Sequence, residues 1–270
     1  MTSPPSAAQR ARGRGRLSAR ARAGRSVIGD LHMSGSTKLL FPRAEAALQA
    51  VLLNTSGGVT GGDQFALEAE ALPEAHLVLT TQAAERIYRA LPGQPGVVDT
   101  RLRLGAGARL DWLPQETIFF DGAALDRALS VDMAGDARLL LCEPLIFGRH
   151  AMGERVRDLR YTDRIDIRRD GRLIWADRLA LGGDAAARLA HPAVADGAEA
   201  MATVVLAAPG AATQVEALRG ILPERAGVSA LTPELVVIRM LAIDGFELRR
   251  HLCPILRRLS GADLPRPWMI

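Results

Sequence analysis

Residues 54–65 read NTSGGVTGGDQF, with Gly57, Gly58, Gly61 and Gly62 packed just ahead of an acid, Asp63. Glycine is placed where φ must be positive or where another backbone comes close. Three chemistries use such a run: a phosphate cradle, a tight turn, or a passage that side chains would block. No Lys-Ser or Lys-Thr follows the second glycine pair, and the G-x-G-x-x-G spacing fails, so neither a P-loop nor a dinucleotide fingerprint is present. Asp63 either faces the space that the glycines leave, or caps the turn by accepting hydrogen bonds from backbone N–H groups.

Two further acids, Glu143 before Pro144 and Glu154 after RHAMG, are candidates for lining an interior path or for the surface. The histidines (His32, His76, His150, His191, His251) include no pair at i,i+3 or i,i+4, and neither cysteine has a C-x-x-C mate, so no zinc or nickel cage is written locally. There is no G-x-S-x-G elbow. Cys142 and His150 could form a thiol–imidazole pair, but no motif orients them, and an enzyme reading lacks other support.

The elements that must position these residues are mostly strands. In VVDTRLRLGAGARLDWL, Leu102 and Leu104 alternate with Arg101 and Arg103, and Leu110 and Trp112 flank Asp111 after a glycine-rich turn. That pattern predicts a hairpin with one buried face. LSVDMAGDARLLL repeats the plan around Gly135–Asp136, and YTDRIDIRRDGRLIWADRL does so around the favoured Asp170-Gly171 turn. AHLVLTT (75–81) reads as another strand. The succession predicts a mainly β fold of layered or stacked, β-helix-like sheets built from successive hairpins. Helical signal is confined to the end of the chain. Val215, Leu218 and Leu222 recur at helical spacing, and Leu248, Leu252, Ile255, Leu256 and Leu259 form one face of a last helix ended by Gly261. Pro254 inside it predicts a kink or restart. That helix either covers the β stack or faces a partner.

Composition bounds the rest. The chain has 270 residues, 48% of them hydrophobic, and no apolar run long enough to span a membrane as a helix. Two cysteines make no disulfide framework, and no leader-like segment opens the chain, so a cytoplasmic protein is expected. The net charge of +4 conceals an asymmetry: residues 1–26 hold seven arginines and no acid, leaving −3 on the remainder. Low hydrophobicity predicts that residues 1–26 are a disordered tail and that residues 27–270 form a single domain. Arginine is preferred over lysine throughout, since Lys38 is the one lysine, so the tail is not by itself a nucleic-acid signature. A nucleic-acid-associated role through that tail is the rival that the charge leaves open.

Four stretches, NTSGGVTGGDQF (54–65), LTTQAAERIYR (79–89), LDWLPQETIFFDGA (110–123) and FGRHAMGE (147–154), with a closing LPRPWMI (264–270), together resemble the UreD (UreH) family of urease accessory proteins. The resemblance covers residues 27–270. It implies a non-catalytic scaffold of stacked β-sheets that joins UreF and the GTPase UreG and docks on apo-urease. It further implies delivery of Ni²⁺ to urease through a water-filled internal passage, with no tightly bound cofactor, no specific nucleic acid and no membrane as partner. Asp63, Glu143 and Glu154 are then candidate stations of that passage, which calls for weak oxygen ligands rather than a tight cage. Trp112, Phe119 and Phe120 read as core aromatics, with Glu116 between them either solvated or turned inward. Arg86 and Tyr88 read as a polar or partner-facing edge. Trp268 packs onto the body or into a partner.

Overall fold

The computed structural model describes residues 9–149 and 152–269. Strands β1 (Arg12–Arg22), β2 (Arg25–Gly35), β3 (Thr37–Leu40), β4 (Leu48–Asn54), β5 (Gln64–Ala71), β6 (His76–Thr81) and β7 (Glu85–Ile87) open the chain. They are followed by β8 (Gly96–Leu104), β9 (Arg109–Leu113), β10 (Thr117–Phe119), β11 (Ala123–Met133), β12 (Arg138–Phe147), β13 (Leu159–Arg169) and β14 (Arg172–Gly183). The short helix α1 (Ala185–Leu189), β15 (Ala200–Ala207), α2 (Val215–Arg219), β16 (Ala226–Thr232), β17 (Leu235–Ala242) and the long helix α3 (Gly245–Ser260) complete it.

Two sheets face each other. The first runs β14-β13-β11-β8-β5-β1-β2, and the second runs β16-β17-β15-β12-β9-β6-β4-β3, with β10 and β7 appended beside β12. The chain alternates between them, from β4 to β5, β6, β8, β9, β11, β12 and β13. Most pairs inside each sheet are therefore parallel, such as β5 with β8 and β6 with β9. The stacked, β-helix-like arrangement expected from the sequence is present, and its construction differs from the expected hairpins. The turns at 105–108 and 135–136 carry the chain from one sheet to the other. Of the three turns read from the sequence, only Asp170-Gly171 closes an antiparallel hairpin, between β13 and β14. One-sided alternation is the same whether a strand pairs with its sequence neighbour or with a strand one coil away, so the period could not distinguish the two. The corners themselves stack: Glu74 N–H donates to Ala106 O (2.9 Å), and Gly107 N–H to the Asp136 carboxylate (2.9 Å).

Residues 12–26 correct the expectation of a disordered tail. Alternate residues of β1 (Gly13, Gly15, Leu17, Ala19) face the inner side and are buried, while Arg12, Arg14, Arg16 and Arg20 face outward. β1 pairs with β2 on one side and in parallel with β5 on the other. Composition misled because half of this strand's inward positions are glycine, whose backbone fits a crowded interior that hydropathy does not register. A Cβ at Gly13 would lie 2.3 Å from Thr37 Oγ1 and 2.7 Å from the Phe65 ring. Residues 1–8 lie outside the described residues.

Helix α3 lays Leu248, Leu252, Ile255, Leu256 and Leu259 against Leu140, Cys142, Val204 and Ile238 on the outer face of the second sheet. It covers the β stack, as one of the two sequence readings held. Pro254 is accommodated within the continuous helix, and Gly261 caps it at φ 63°. The second sheet is thus buried on both faces, which explains the unbroken apolar run Leu139-Leu140-Leu141-Cys142 in β12.

Candidate functional site

Inward-facing residues define layers along the coil. At one end they are apolar: Leu129, Val131, Ile165, Leu110 and Leu139 belong to one cluster. At the other end Leu125, Phe119, Phe147 and Tyr161 form a second. Between them the same alternating frame carries polar side chains: Asn54 on β4, Thr81 on β6, Arg127 on β11, Glu143 on β12 and Asp163 on β13. Asn54, Thr81, Arg127 and Glu143 of this layer line a cavity of about 150 Å³, together with Glu85, Trp112, Gln115 and Thr117. It reaches the surface beside exposed Gln82 and Ala83.

Arg127 is the hub. Its guanidinium donates Nε to Asp163 Oδ1 at 3.0 Å and Nη2 to Asp163 Oδ2 at 2.6 Å within the first sheet. Its Nη1 donates to Glu143 Oε2 at 2.6 Å across the gap to the second sheet. The other Glu143 oxygen accepts from Trp112 Nε1 at 2.6 Å. Burial pushes the Glu143 carboxyl up, and the Arg127 charge partly offsets it. The same partners hold Arg127 well above its ordinary value despite burial. Two carboxyl groups share one guanidinium, so the cluster holds more acids than cations.

Glu85 adds a further acid with no cation bonded to it. Its oxygens accept from Asn54 Nδ2 at 3.3 Å each, and burial raises its carboxyl from 4.5 to about 7. Gln115 is buried, its Oε1 accepts from Arg249 at 2.9 Å, and its Nε2 has no protein partner. A cavity of this size and polarity has room for a few waters, which satisfy such a donor. Among the described residues no three His, Cys, Asp or Glu side chains converge to hold a metal ion. What the layer offers is a polar cavity with scattered carboxyl oxygens.

The structure separates the three acids singled out in the sequence. Only Glu143 lines the cavity. Asp63 is buried in the turn: Oδ1 accepts from Ala11 N–H at 2.8 Å and Oδ2 from Thr60 N–H at 2.9 Å. Both oxygens are occupied, so Asp63 caps the turn and anchors the start of β1. Glu154 accepts from Arg149 Nε at 2.9 Å, and this bond chiefly holds its carboxyl below the usual value. It closes the 149–154 loop rather than facing the cavity. The glycines serve close approach and turning. A Cβ at Gly58 would stand 2.3 Å from the Tyr88 ring and 2.6 Å from Arg86 O, where Val59 N–H donates to Arg86 O at 2.8 Å. Gly57 and Gly62 hold φ of 81° and 84°, and Gly61 packs against Ala90.

Arg86 is exposed, and Tyr88 donates its hydroxyl to Gly57 O at 3.2 Å, so these two residues brace the glycine turn. Glu116 is turned inward and ion-paired with Arg249 Nη1 at 3.0 Å. Arg249 also donates to Pro267 O at 2.8 Å and lies 5.0 Å from the Trp268 ring centre. Trp268 is buried and donates Nε1 to Leu113 O at 2.9 Å. The chain end is therefore locked onto the WLPQE segment that forms one cavity wall. Trp112 and Phe119 are core aromatics, and Phe120 is half-buried against Tyr88. Cys142 lies in the apolar layer under α3, where burial raises its thiol well above the ordinary value. A buried thiol of that kind is disfavoured as a thiolate, and His150 lies outside the described residues.

Comparison with known proteins places this geometry. A profile of the family described as UreD urease accessory protein matches residues 11–269. The chain belongs to that family. It is 48% identical to the urease accessory protein UreD of Roseobacter denitrificans over 269 residues, covering all of this chain and 98% of the relative. It is 50% identical to UreD of Ruegeria pomeroyi over 246 residues, covering 91% and 96%, and 43% identical to UreD 3 of a Bradyrhizobium strain over 265 residues, covering 97% and 95%. The match begins at residue 11, immediately before β1, so the arginine-rich strand lies within the family domain. Membership assigns the chain a role in urease maturation and in the interactions that maturation requires. Among the described residues no helix is long and apolar enough to cross a membrane.

Sequence reasoning missed Arg127, Asp163 and Glu85. A signal for two of them was available. Arg127 stands in the inward frame of Leu125, Leu129 and Val131, and Asp163 in that of Tyr161, Ile165 and Ile167. A charge in an apolar frame is more informative than an acid beside a glycine.

Proposed function

We propose that this chain is a non-catalytic cytoplasmic scaffold for nickel insertion, acting with UreF and the GTPase UreG on apo-urease. In this reading the inter-sheet cavity is part of the route by which Ni²⁺, the cargo, reaches its destination. The observation that carries it is the polar layer between two apolar clusters. A β stack of this width packs its interior with aliphatic side chains, yet here it keeps Glu85, Glu143, Asn54 and Thr81 around a space of about 150 Å³. Oxygen donors that are spaced apart hold a borderline divalent ion briefly and release it. The excess of carboxyl groups over cations favours a cation over an anion in this space.

The test is Glu85→Gln with Glu143→Gln, which keeps side-chain volume and removes two carboxyl groups. Co-expressed with urease and the accessory proteins, the double variant is expected to retain the complex in a pull-down. Nickel per urease active site, measured by mass spectrometry, should fall several-fold, and the deficit should shrink as nickel in the medium rises. Normal loading in the double variant refutes the route. Loss of the complex refutes it too, by making the two acids folding or interface groups.

A further inference from the structure

The arginines at the start of the chain are not absorbed by the cavity. Along β1, residues 12, 14, 16, 18, 20 and 22 point to the outer face of the first sheet, and five of the six are arginine. Arg12, Arg14, Arg16, Arg20 and Arg22 are exposed. Among the described residues none of the five forms an ion pair, whereas Arg101, Arg168 and Arg178 on the same sheet pair with Asp99 or Asp166. The acids nearest the row are Glu68 and Glu70 on β5, in register with Arg16 and Ser18, and Asp30 on β2. Glu68 lies 3.9 Å from Arg101, and Asp30 is within reach of Ser18 Oγ at 3.4 Å. Among the described residues, five cations therefore stand in line and none of these three acids is paired with them. Side chains two apart on a strand are about 6.6 Å apart, so the row repels itself. The chain's preference for arginine over lysine explains the residue type. It does not explain why β1 concentrates five on one face without partners.

We propose that the outer face of β1 is a docking strip for an acidic, extended segment of a protein partner. From Arg12 to Arg22 the row spans about 33 Å, the length of about ten extended residues, and an alternating acidic strand repeats its carboxylates at the same spacing as the arginines. Guanidinium forks take carboxylates bidentately, which an ammonium does not. The face is flat, and no Phe, Tyr or Trp stands on this side of β1, β2 or β5 to stack a base, which favours a peptide over single-stranded nucleic acid. The inference is independent of the nickel route: the strip lies outside the sheet, and the cavity inside it.

The test uses the purified full chain and two labelled probes, a peptide of about ten residues alternating Glu and Thr, and an oligothymidylate of about the same length. The peptide is expected to bind, with affinity falling as salt rises. Arg14→Gln, Arg16→Gln and Arg20→Gln together should weaken it about tenfold, the sum of three exposed charge contacts. The matched variant Arg101→Gln, Arg168→Gln and Arg178→Gln loses the same charge elsewhere on the sheet and should weaken binding less than about twofold. Equal losses in the two variants overturn the proposal, since net charge alone would then be responsible. Tighter binding of the oligothymidylate than of the peptide overturns it in favour of a nucleic-acid surface. Unchanged thermal melting of both variants keeps folding out of the comparison, and the exposed positions make that the expected result.

Discussion

Replacing Glu85 by Gln should change how the stability of the protein depends on pH. Burial raises the Glu85 carboxyl from 4.5 to about 7, against the Asn54 amide and Arg86, which pull it down. Between those two values the folded chain holds a proton that the unfolded chain has released. Folding stability therefore falls as pH rises from about 4.5 to about 7 and is flat with respect to this group above that. The gap corresponds to about 3 kcal/mol, and hydration of the cavity reduces the realised value to about 2 kcal/mol. Gln keeps the shape and an acceptor oxygen for Asn54 but carries no charge at any pH. Glu85→Gln is expected to match the parent at pH 5 and to exceed it by about 2 kcal/mol at pH 8, a rise in Tm of about 4–8 °C for a chain of this size. Urea unfolding followed by tryptophan fluorescence, in EDTA and at several pH values, measures the difference. The tryptophans suit the assay because Trp112 is in the cavity wall and Trp268 is buried behind it. A difference that stays constant from pH 5 to pH 8 would refute the claim that Glu85 is held protonated by its surroundings.

Three other perturbations follow from the packing. Deleting residues 1–25 removes β1 with buried Leu17 and Ala19 and leaves β5 as an edge, so the truncated chain should be insoluble or lose its cooperative melt, read by circular dichroism. Trp268→Ala should destabilise by about 3–5 kcal/mol, because it empties a packed site and strands Arg249 over it, with urea midpoints as the measure. Arg127→Met leaves Glu143 and Asp163 buried without their cation and should cost about 3–5 kcal/mol near pH 7, with partial recovery at lower pH as a carboxyl takes up a proton. The recovery, measured as the pH dependence of the urea midpoint, separates a charge effect from a simple packing defect.

The periodic residues told most about the fold and least about its wiring. Alternation in 101–104 and 129–133 is real, and the strands are where the pattern placed them. Hairpin pairing was the wrong conclusion because a parallel coil turns alternate residues of each strand inward just as a hairpin does. The difference lies in contacts between β5, β8, β11 and β13, which are far apart in sequence. The helix α3 was readable through its apolar face and Gly261. That it covers a sheet face could be read only once β12 was known to be buried on both sides. The tail failed for a different reason. Mean hydropathy scores Arg-Gly-Arg-Gly-Arg as solvent-loving, but a strand needs only one apolar side, and a glycine frame against Phe65 and Thr37 supplies it.

The candidate site was legible at one residue in three, and the reason is physical. Glycine-flanked Asp63 had both of its carboxylate oxygens claimed by backbone N–H groups, the ordinary fate of an acid in a tight turn. Glu154 was claimed by the arginine five residues before it. Glu143 differs because its strand context is apolar on both sides, and a carboxylate there has to be answered by something on a facing element. The answer, Arg127, is itself an exception to the apolar frame of β11, and Arg127 in turn requires Asp163 on β13. One charged residue out of frame is a defect to be explained, whereas three on two adjacent strands and a facing one that meet in one layer imply a built interior. The Gln115-Glu116 pair then ties that interior to the end of the chain, because Arg249 bonds both side chains while holding Pro267 O and lying against Trp268. Thus the WLPQE segment and the closing LPRPW, which are far apart in sequence, form one wall. A disturbance at either end of that wall should be felt at the cavity.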